Sequence, residues 1–225
     1  MKNILFLSKY GKKQRKSKNI ALQLAQKLQA NLLHWRFPLL TYSITIQAIK
    51  EYLINNNIDL IVVDPGNLKY LEDLLAEYEP GDDNLSEYPI LIIRKKTDNF
   101  YVNNILAVFN YLNAEHINIK VLKSIAEAYD SKIHMLYIVN TDKKEVNREL
   151  ESLETIAQNN HLINYSTNTL VNEAIEDGIS SFSRRRNANI IALIGFDQLR
   201  LKELNKNLLE LKSPMQFSVL ELVKF

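Results

Sequence analysis

Residues 104–139 read NILAVFNYLNAEHINIKVLKSIAEAYDSKIHMLYIV, and this segment decides the fold. It begins with one apolar run and ends with another, KIHMLYIV at 132–139. Both runs are apolar on successive residues, which is typical of strands covered on both faces. The residues between them place apolar side chains at helical spacing, namely Ile117, Val121, Leu122, Ile125 and Ala128. The segment therefore predicts a strand–helix–strand unit of a parallel α/β sheet.

The same alternation of apolar runs and helical stretches extends over the rest of the chain. Strands are predicted at 3–7, 31–37, 59–63, 88–93, 103–109, 132–139, 161–165, 189–195 and 217–223. Helices are predicted at 17–29, 42–56, 115–129, 142–159, 168–186 and 199–212. The expected fold class is α/β, with mainly parallel sheets and helices on both faces.

The chain also matches itself when it is shifted by 101 residues. The run Asn3-Ile4-Leu5 then falls on Asn104-Ile105-Leu106, and the run at 31–37 falls on 132–138 without a gap. A second match pairs residues 48–64 with 174–197 after an insertion. An ordered set of such matches indicates an internal repeat. We infer two tandem units, 1–96 and 97–225, of which the first is shortened by a helix and a strand.

Glycine is scarce, and its scarcity excludes several kinds of nucleotide site. The chain has 5 glycines, whereas average usage would give roughly 16 in this length. No two of them lie close together, so a P-loop, a G-x-G-x-x-G fingerprint and a kinase-type glycine loop are all excluded.

The remaining composition narrows the class of protein further. The absence of cysteine excludes disulfides, thiolate metal sites and cysteine nucleophiles, and the four histidines are widely separated. A net charge of +2 does not favour nucleic acid as a partner, and no apolar run is long enough for a membrane helix. No hydrolase or metalloprotease motif is present. We therefore expect a cytoplasmic protein that is not an enzyme and holds no metal.

Taken in order, these pieces resemble the universal stress protein family. The segment at 104–139 matches the opening of a family unit, and NNNIDLIVVD, YPILIIRK and NANIIALIG match its later parts. The resemblance implies two Rossmann-like units of the adenine nucleotide alpha hydrolase type with the strand order 3-2-1-4-5. It also implies pairing of units through their last strands, here YPILIIRK and FSVLELVKF, as an intramolecular pseudo-dimer or a homodimer.

Nucleotide-binding members of that family use an aspartate at the end of the first strand and a G-x-x-G after the fourth. They also use a later Gly-Ser or Gly-Thr, so that backbone amides cradle the phosphates at a helix N-terminus. Here the aspartate positions hold Lys9 and Asn110, and the glycine stretches read DPGN at 64–67 and IGFD at 194–197. Neither is followed by Gly-Ser or Gly-Thr. The resemblance, with these departures, predicts a degenerate site and no ATP or other nucleotide cofactor.

The densest charge lies at 9–18, KYGKKQRKSK, which has six basic side chains in ten residues. The segment follows the first strand, where α/β folds bind ligands. A solvated loop, a phosphorylated small molecule, an acidic partner or, least favoured, nucleic acid would each account for it. A second basic group, Arg184-Arg185-Arg186, ends a predicted helix, where positive charge is favourable.

Two functions follow from the sequence. The first is a non-enzymatic stress-response protein that binds an unknown protein partner or an anionic small molecule. The alternative is a nucleotide-binding universal stress protein in which a lysine-rich pocket replaces the glycines. The candidate ligand-binding positions are Lys9, Lys12, Lys13, Asn110, Asp64, Gly66 and Gly195.

Overall fold

In a computed structural model of the chain, nine strands and five helices have defined bounds among the described residues. The structure describes residues 1–9, 15–37, 42–64, 67, 88–93, 100–110, 119–139, 146–171, 175–197, 200, 201, 203, 204, 207 and 218–222. These residues belong to two units, Met1–Phe100 and Tyr101–Phe225. The boundary predicted at 96/97 lies outside the described residues.

The first unit contains four strands and two helices. Its strands are β1 (Asn3–Lys9), β2 (Asn31–Phe37), β3 (Ile58–Val63) and β4 (Ile90–Ile92). Its helices are α1 (Arg15–Lys27) and α2 (Tyr42–Asn55). The strands lie in the order β2-β1-β3-β4, and every pair is parallel.

The second unit contains five strands and three helices with defined bounds. Its strands are β5 (Asn104–Phe109), β6 (Lys132–Val139), β7 (Tyr165–Val171), β8 (Ile190–Ile194) and β9 (Ser218–Leu222). Among the described residues, the helices with defined bounds are α3 (Lys120–Tyr129), α4 (Val146–Asn159) and α5 (Ile175–Arg185), and residues 200, 201, 203, 204 and 207 are also helical. The order is β7-β6-β5-β8-β9, all parallel, which confirms the expected order 3-2-1-4-5 for this unit.

The central strand of each unit supplies the middle of its core. In β1 the side chains of Leu5 and Leu7 are fully buried, and so is that of Ile4, which points to the opposite face. Leu5 lies between Leu33 of β2 and Ile61 of β3. Because both faces are covered, these strands read as continuous apolar runs. The α/β class with parallel sheets is thus confirmed.

Strand β7 corrects two predictions. The sequence predicted a strand at 161–165 and a helix at 168–186, but the strand spans Tyr165–Val171 and the helix begins at Ile175. The misleading apolar residues precede the strand, and Ile163 is 92% exposed. As the edge strand of its unit, β7 is only half buried, so it is polar and rich in threonine rather than apolar.

Five residues that follow helices have positive φ and are not glycine: Gln29, Asn57, Asp130, His161 and Asn187. After α3, for example, Asp130 has φ 52° and Ser131 donates its backbone N–H to the carbonyl of Ala126 at 2.8 Å. This is the bond pattern of a Schellman end, in which glycine is the favoured residue. The chain therefore ends its helices in the left-handed region without glycine.

Candidate functional site

The structure brings together two predicted site residues, Asn110 and Gly195, at the carboxyl ends of β5 and β8. The Asn110 backbone N–H donates to Ile194 O at 3.0 Å, and its side-chain Nδ2 donates to Gly195 O at 3.2 Å. Gly195 has φ 74°, a conformation that disfavours a Cβ. The amide that replaces the family's aspartate thus holds the backbone of the neighbouring turn.

Asp197 caps the helix that follows this turn. Its carbonyl accepts the N–H of Leu201 at 2.9 Å, and its carboxylate Oδ1 accepts the N–H of Arg200 at 2.8 Å. These two bonds define Asp197 as the N-cap residue. The Arg200 guanidinium in turn pairs with Glu176 at 3.1 Å and with Glu203. Three carboxylates therefore contact Arg200, and that of Asp197 accepts a backbone amide that a phosphate bound at the helix N-terminus would need free.

In the first unit, Asp64 follows β3 and lies beside the first turn of α1. The hydroxyl of Ser17 donates to its carboxylate Oδ2, and the Asp64 carbonyl accepts the N–H of Asn67 at 2.8 Å. The Ser17 residue is buried. A carboxylate thus lies at this helix N-terminus too, and it is held there by a contact between residues distant in sequence.

Asn67 occupies the second glycine position of the 64–67 stretch, and its side chain is 1% exposed. Among the residues that the structure describes, neither its Nδ2 nor its Oδ1 has a hydrogen-bond partner. A buried unpaired amide is costly, and its bulk fills space that glycine would leave for an approaching phosphate.

Ser8 and His34 form a further polar pair on neighbouring strands, with Oγ and Nε2 2.7 Å apart. Trp35 packs against Tyr52 of α2, so His34 lies on the opposite face of the sheet. Burial, Lys18 and Arg36 lower the pKa of His34, which is therefore neutral near pH 7. Within the described residues no carboxylate contacts its other ring nitrogen, so the pair lacks the third group of a nucleophilic triad.

The remaining predicted positions are only partly described. Lys9 ends β1 opposite Phe37, whereas Lys12, Lys13 and Gly66 lie outside the described residues. In the part of the chain that the structure covers, no three histidine, aspartate or glutamate side chains gather as metal ligands. Among the described helices, none is both long and apolar enough to cross a membrane.

Sequence reasoning missed both carboxylate contacts at the helix N-termini. The cap at Asp197 had a local signal, since an aspartate immediately before a helical stretch is a common N-cap pattern. The contact between Ser17 and Asp64 had none, because the two residues are 47 positions apart.

No protein-family model matches this chain, and no curated protein matches it. Solved structures do. A universal stress protein from Archaeoglobus fulgidus has 14% identity and a TM-score of 0.53, with 100% of this chain and 86% of that chain covered. A putative universal stress protein from Pseudomonas aeruginosa has 12% identity and a TM-score of 0.56, with coverages of 99% and 93%.

A functionally unknown protein from Pseudomonas aeruginosa is similar to the same degree, with 13% identity, a TM-score of 0.54 and coverages of 99% and 82%. At these identities the likeness shows a shared fold. The parallel α/β, Rossmann-like fold that the sequence resemblance implied is therefore shown, whereas the tandem arrangement of two family units stays a prediction.

Proposed function

We propose that this chain is a universal stress protein of the tandem type that acts in the stress response without ATP. In this proposal it is not an enzyme, resides in the cytoplasm, and works by binding a protein partner or an anionic small molecule. Similarity to structures of universal stress proteins over nearly the whole chain supports the class.

The observation that carries the proposal is the cap at Asp197. Its carboxylate already accepts the Arg200 amide that a phosphate would use. A like charge at 4 Å opposes a phosphate by about 4 kcal/mol at an effective dielectric of 20, which corresponds to roughly a thousandfold loss of affinity. Asp64 has the equivalent effect beside α1, where it is held by Ser17.

The tandem part of the proposal rests on strand order. The first unit has the order β2-β1-β3-β4, and the second has β7-β6-β5-β8-β9. If β7 is left out, the remaining strand order of the second unit, β6-β5-β8-β9, is equivalent to the strand order of the first unit. The two units are then copies of one ancestor, and the first has lost an edge strand with its helix.

Isothermal titration of the whole protein with ATP tests the proposal. We expect no saturable binding at submicromolar concentration and no ATP hydrolysis. Tight binding would contradict it, and the triple variant Lys9→Ala/Lys12→Ala/Lys13→Ala would then decide the alternative. Loss of ATP affinity in that variant would support a lysine-rich nucleotide pocket, and retained affinity would exclude it. Native mass spectrometry of the same sample reports whether the chain is a homodimer.

A further inference from the structure

The second unit has a basic cluster that the proposed nucleotide-independent function does not explain. It consists of Arg184, Arg185 and Arg186, at and just beyond the C-terminus of α5. Asn187 donates its N–H to Arg184 O at 3.1 Å, and Ala188 donates to Ser183 O at 3.0 Å. These two bonds form a Schellman end, which fixes the backbone from which the arginines extend.

Two of the guanidinium groups are held against one aromatic ring. The guanidinium carbon of Arg185 lies 5.5 Å from the ring centroid of Phe182, and that of Arg186 lies 5.3 Å from it. The two guanidinium carbons are therefore no farther apart than the sum of these two distances. A guanidinium has five N–H donors, so its contact with a ring leaves donors available for a ligand. Phe182 itself is buried, so the ring is a fixed support.

A row of polar side chains across β5, β6 and β7 positions Arg186. Its Nη2 donates to Asn168 Oδ1 at 3.4 Å, and Asn168 Nδ2 donates to the carbonyl of Met135 at 3.2 Å. Two residues earlier on β7, the hydroxyl of Ser166 is hydrogen-bonded to His134 Nδ1 at 2.9 Å. The other ring nitrogen of His134 donates to Asn104 Oδ1 at 3.3 Å. The row therefore links Arg186 to three strands.

No described carboxylate neutralises the charge of this region. Within the described residues none of the three arginines forms an ion pair, and all three are exposed. Burial and then the nearby charges of Arg186 and Lys132 lower the pKa of His134 to about 4. The helix dipole favours cations at this end, but it does not account for a fixed arginine pair without a counter-ion.

We propose that Arg185 and Arg186, supported by Phe182 and Asn168, form a binding site for an anion that carries phosphate groups. Planar guanidinium forks match phosphate oxygens in a bidentate way, and several unpaired cations suit a ligand with more than one negative charge. The site lies at the amino ends of the strands, because Asn104 is the first residue of β5. Asn110 and Asp197 lie past the opposite ends of their strands. This inference rests on the proposed function, because it locates the anionic small molecule that the proposed function includes.

Calorimetric titration of the whole protein with inorganic tripolyphosphate at low ionic strength tests this site. We expect saturable binding that weakens at least tenfold in Arg185→Gln/Arg186→Gln. The matched control is Arg36→Gln/Arg148→Gln, which removes the same charge from two exposed arginines elsewhere and leaves the affinity unchanged. Absence of binding to the unmodified protein, or equal weakening in both double variants, would overturn the proposal.

Two further measurements define the site. Asn168→Ala keeps every charge but releases Arg186, so we expect a smaller loss of tripolyphosphate affinity with little change in thermal stability. An unchanged affinity would remove Asn168 from the site. Tighter binding of a single-stranded oligoribonucleotide than of tripolyphosphate, with the same dependence on Arg185 and Arg186, would identify a nucleic acid as the ligand and overturn the small-anion proposal.

The same variants keep this inference separate from the proposed function. Submicromolar ATP binding that persists in Arg185→Gln/Arg186→Gln would contradict the proposed function, because it would locate a nucleotide site elsewhere. Failure of tripolyphosphate to bind would contradict the arginine site alone and leave the ATP-independent function standing.

Discussion

The carboxylate of Asp197 accepts a hydrogen bond from the backbone N–H of Arg200, with 2.8 Å between Oδ1 and the nitrogen. A helix N-terminus that could receive an anion from outside is thereby satisfied from within the chain. Asp64 and Ser17 form the corresponding contact in the first unit. Two carboxylates of the chain thus lie beside helix N-termini, and we expect both contacts to contribute to stability.

Replacement of Asp197 should therefore reduce stability. We expect Asp197→Ala to lower the free energy of unfolding by about 1 kcal/mol, since loss of an N-cap side chain typically costs that much. Asp197→Ser should lose far less, because serine caps helices about as well as aspartate. Urea denaturation followed by circular dichroism measures both. Equal stability of the alanine variant and the natural protein would show that the cap contributes nothing.

The contact between Ser17 and Asp64 should appear as a coupling energy. Ser17→Ala and Asp64→Asn each disturb a hydrogen bond to a charged group, for which we expect a cost of roughly 1.5–3 kcal/mol. In the double variant the two effects should be less than additive by about 1 kcal/mol. Strict additivity in urea denaturation would mean that the two side chains do not interact.

Substitution by glycine should stabilise the helix ends at which a non-glycine residue has a positive φ. Gln29 has φ 51° and His161 has φ 52°, and both are outside the core. We expect Gln29→Gly and His161→Gly each to raise the free energy of unfolding by about 0.5–1 kcal/mol, because glycine bears no Cβ strain in this region. The matched control is Gln26→Gly inside α1, which should lower it by about 1 kcal/mol. A loss of stability in all three variants would contradict the left-handed helix ends.

The buried histidine should make stability depend on pH. The pKa of His134 falls from 6.5 to about 4 in the folded protein, so between these values the unfolded chain binds a proton that the folded chain does not. Stability is then full above pH 6.5 and declines as the pH falls toward 4, by up to about 3 kcal/mol. His134→Gln should have a flatter profile over that window. Parallel profiles for the two proteins in urea denaturation would exclude His134 as the source.

Much of the fold was predictable because its central strands are buried on both faces. The strand at 132–139, an inner strand of its unit, was predicted with the bounds that the structure has. The strand at 31–37 was also predicted with its bounds, although it is the half-buried edge strand of the first unit, because four of its seven residues are apolar. The edge strand β7 was not, since an edge position relaxes the demand for apolar residues and Ile163 before it misled the pattern. A strand is recognised in the sequence by its buried apolar residues, and a strand at the edge of a sheet buries fewer of them.

The candidate site was likewise predictable from the sequence only in part. The departures at Lys9, Asn110, Asp64 and Asp197 from the glycine-rich pattern were visible in the sequence, and they predicted a degenerate nucleotide site. The partners that these residues take were not visible. Asn110 contacts Gly195, which is 85 residues away, and no local pattern records such a distance.

The sequence by itself determined the α/β class and the scarcity of glycine, because apolar periodicity and composition are local properties of the chain. Only the tertiary structure decided that the carboxylates of Asp64 and Asp197 lie beside helix N-termini, and that the residues after the described helices take positive φ without glycine. It also decided that Arg185 and Arg186 share the ring of Phe182 without a carboxylate partner among the described residues. The physical reason is that charge neutralisation depends on which residues folding brings within a few ångströms, and sequence separation does not report that distance.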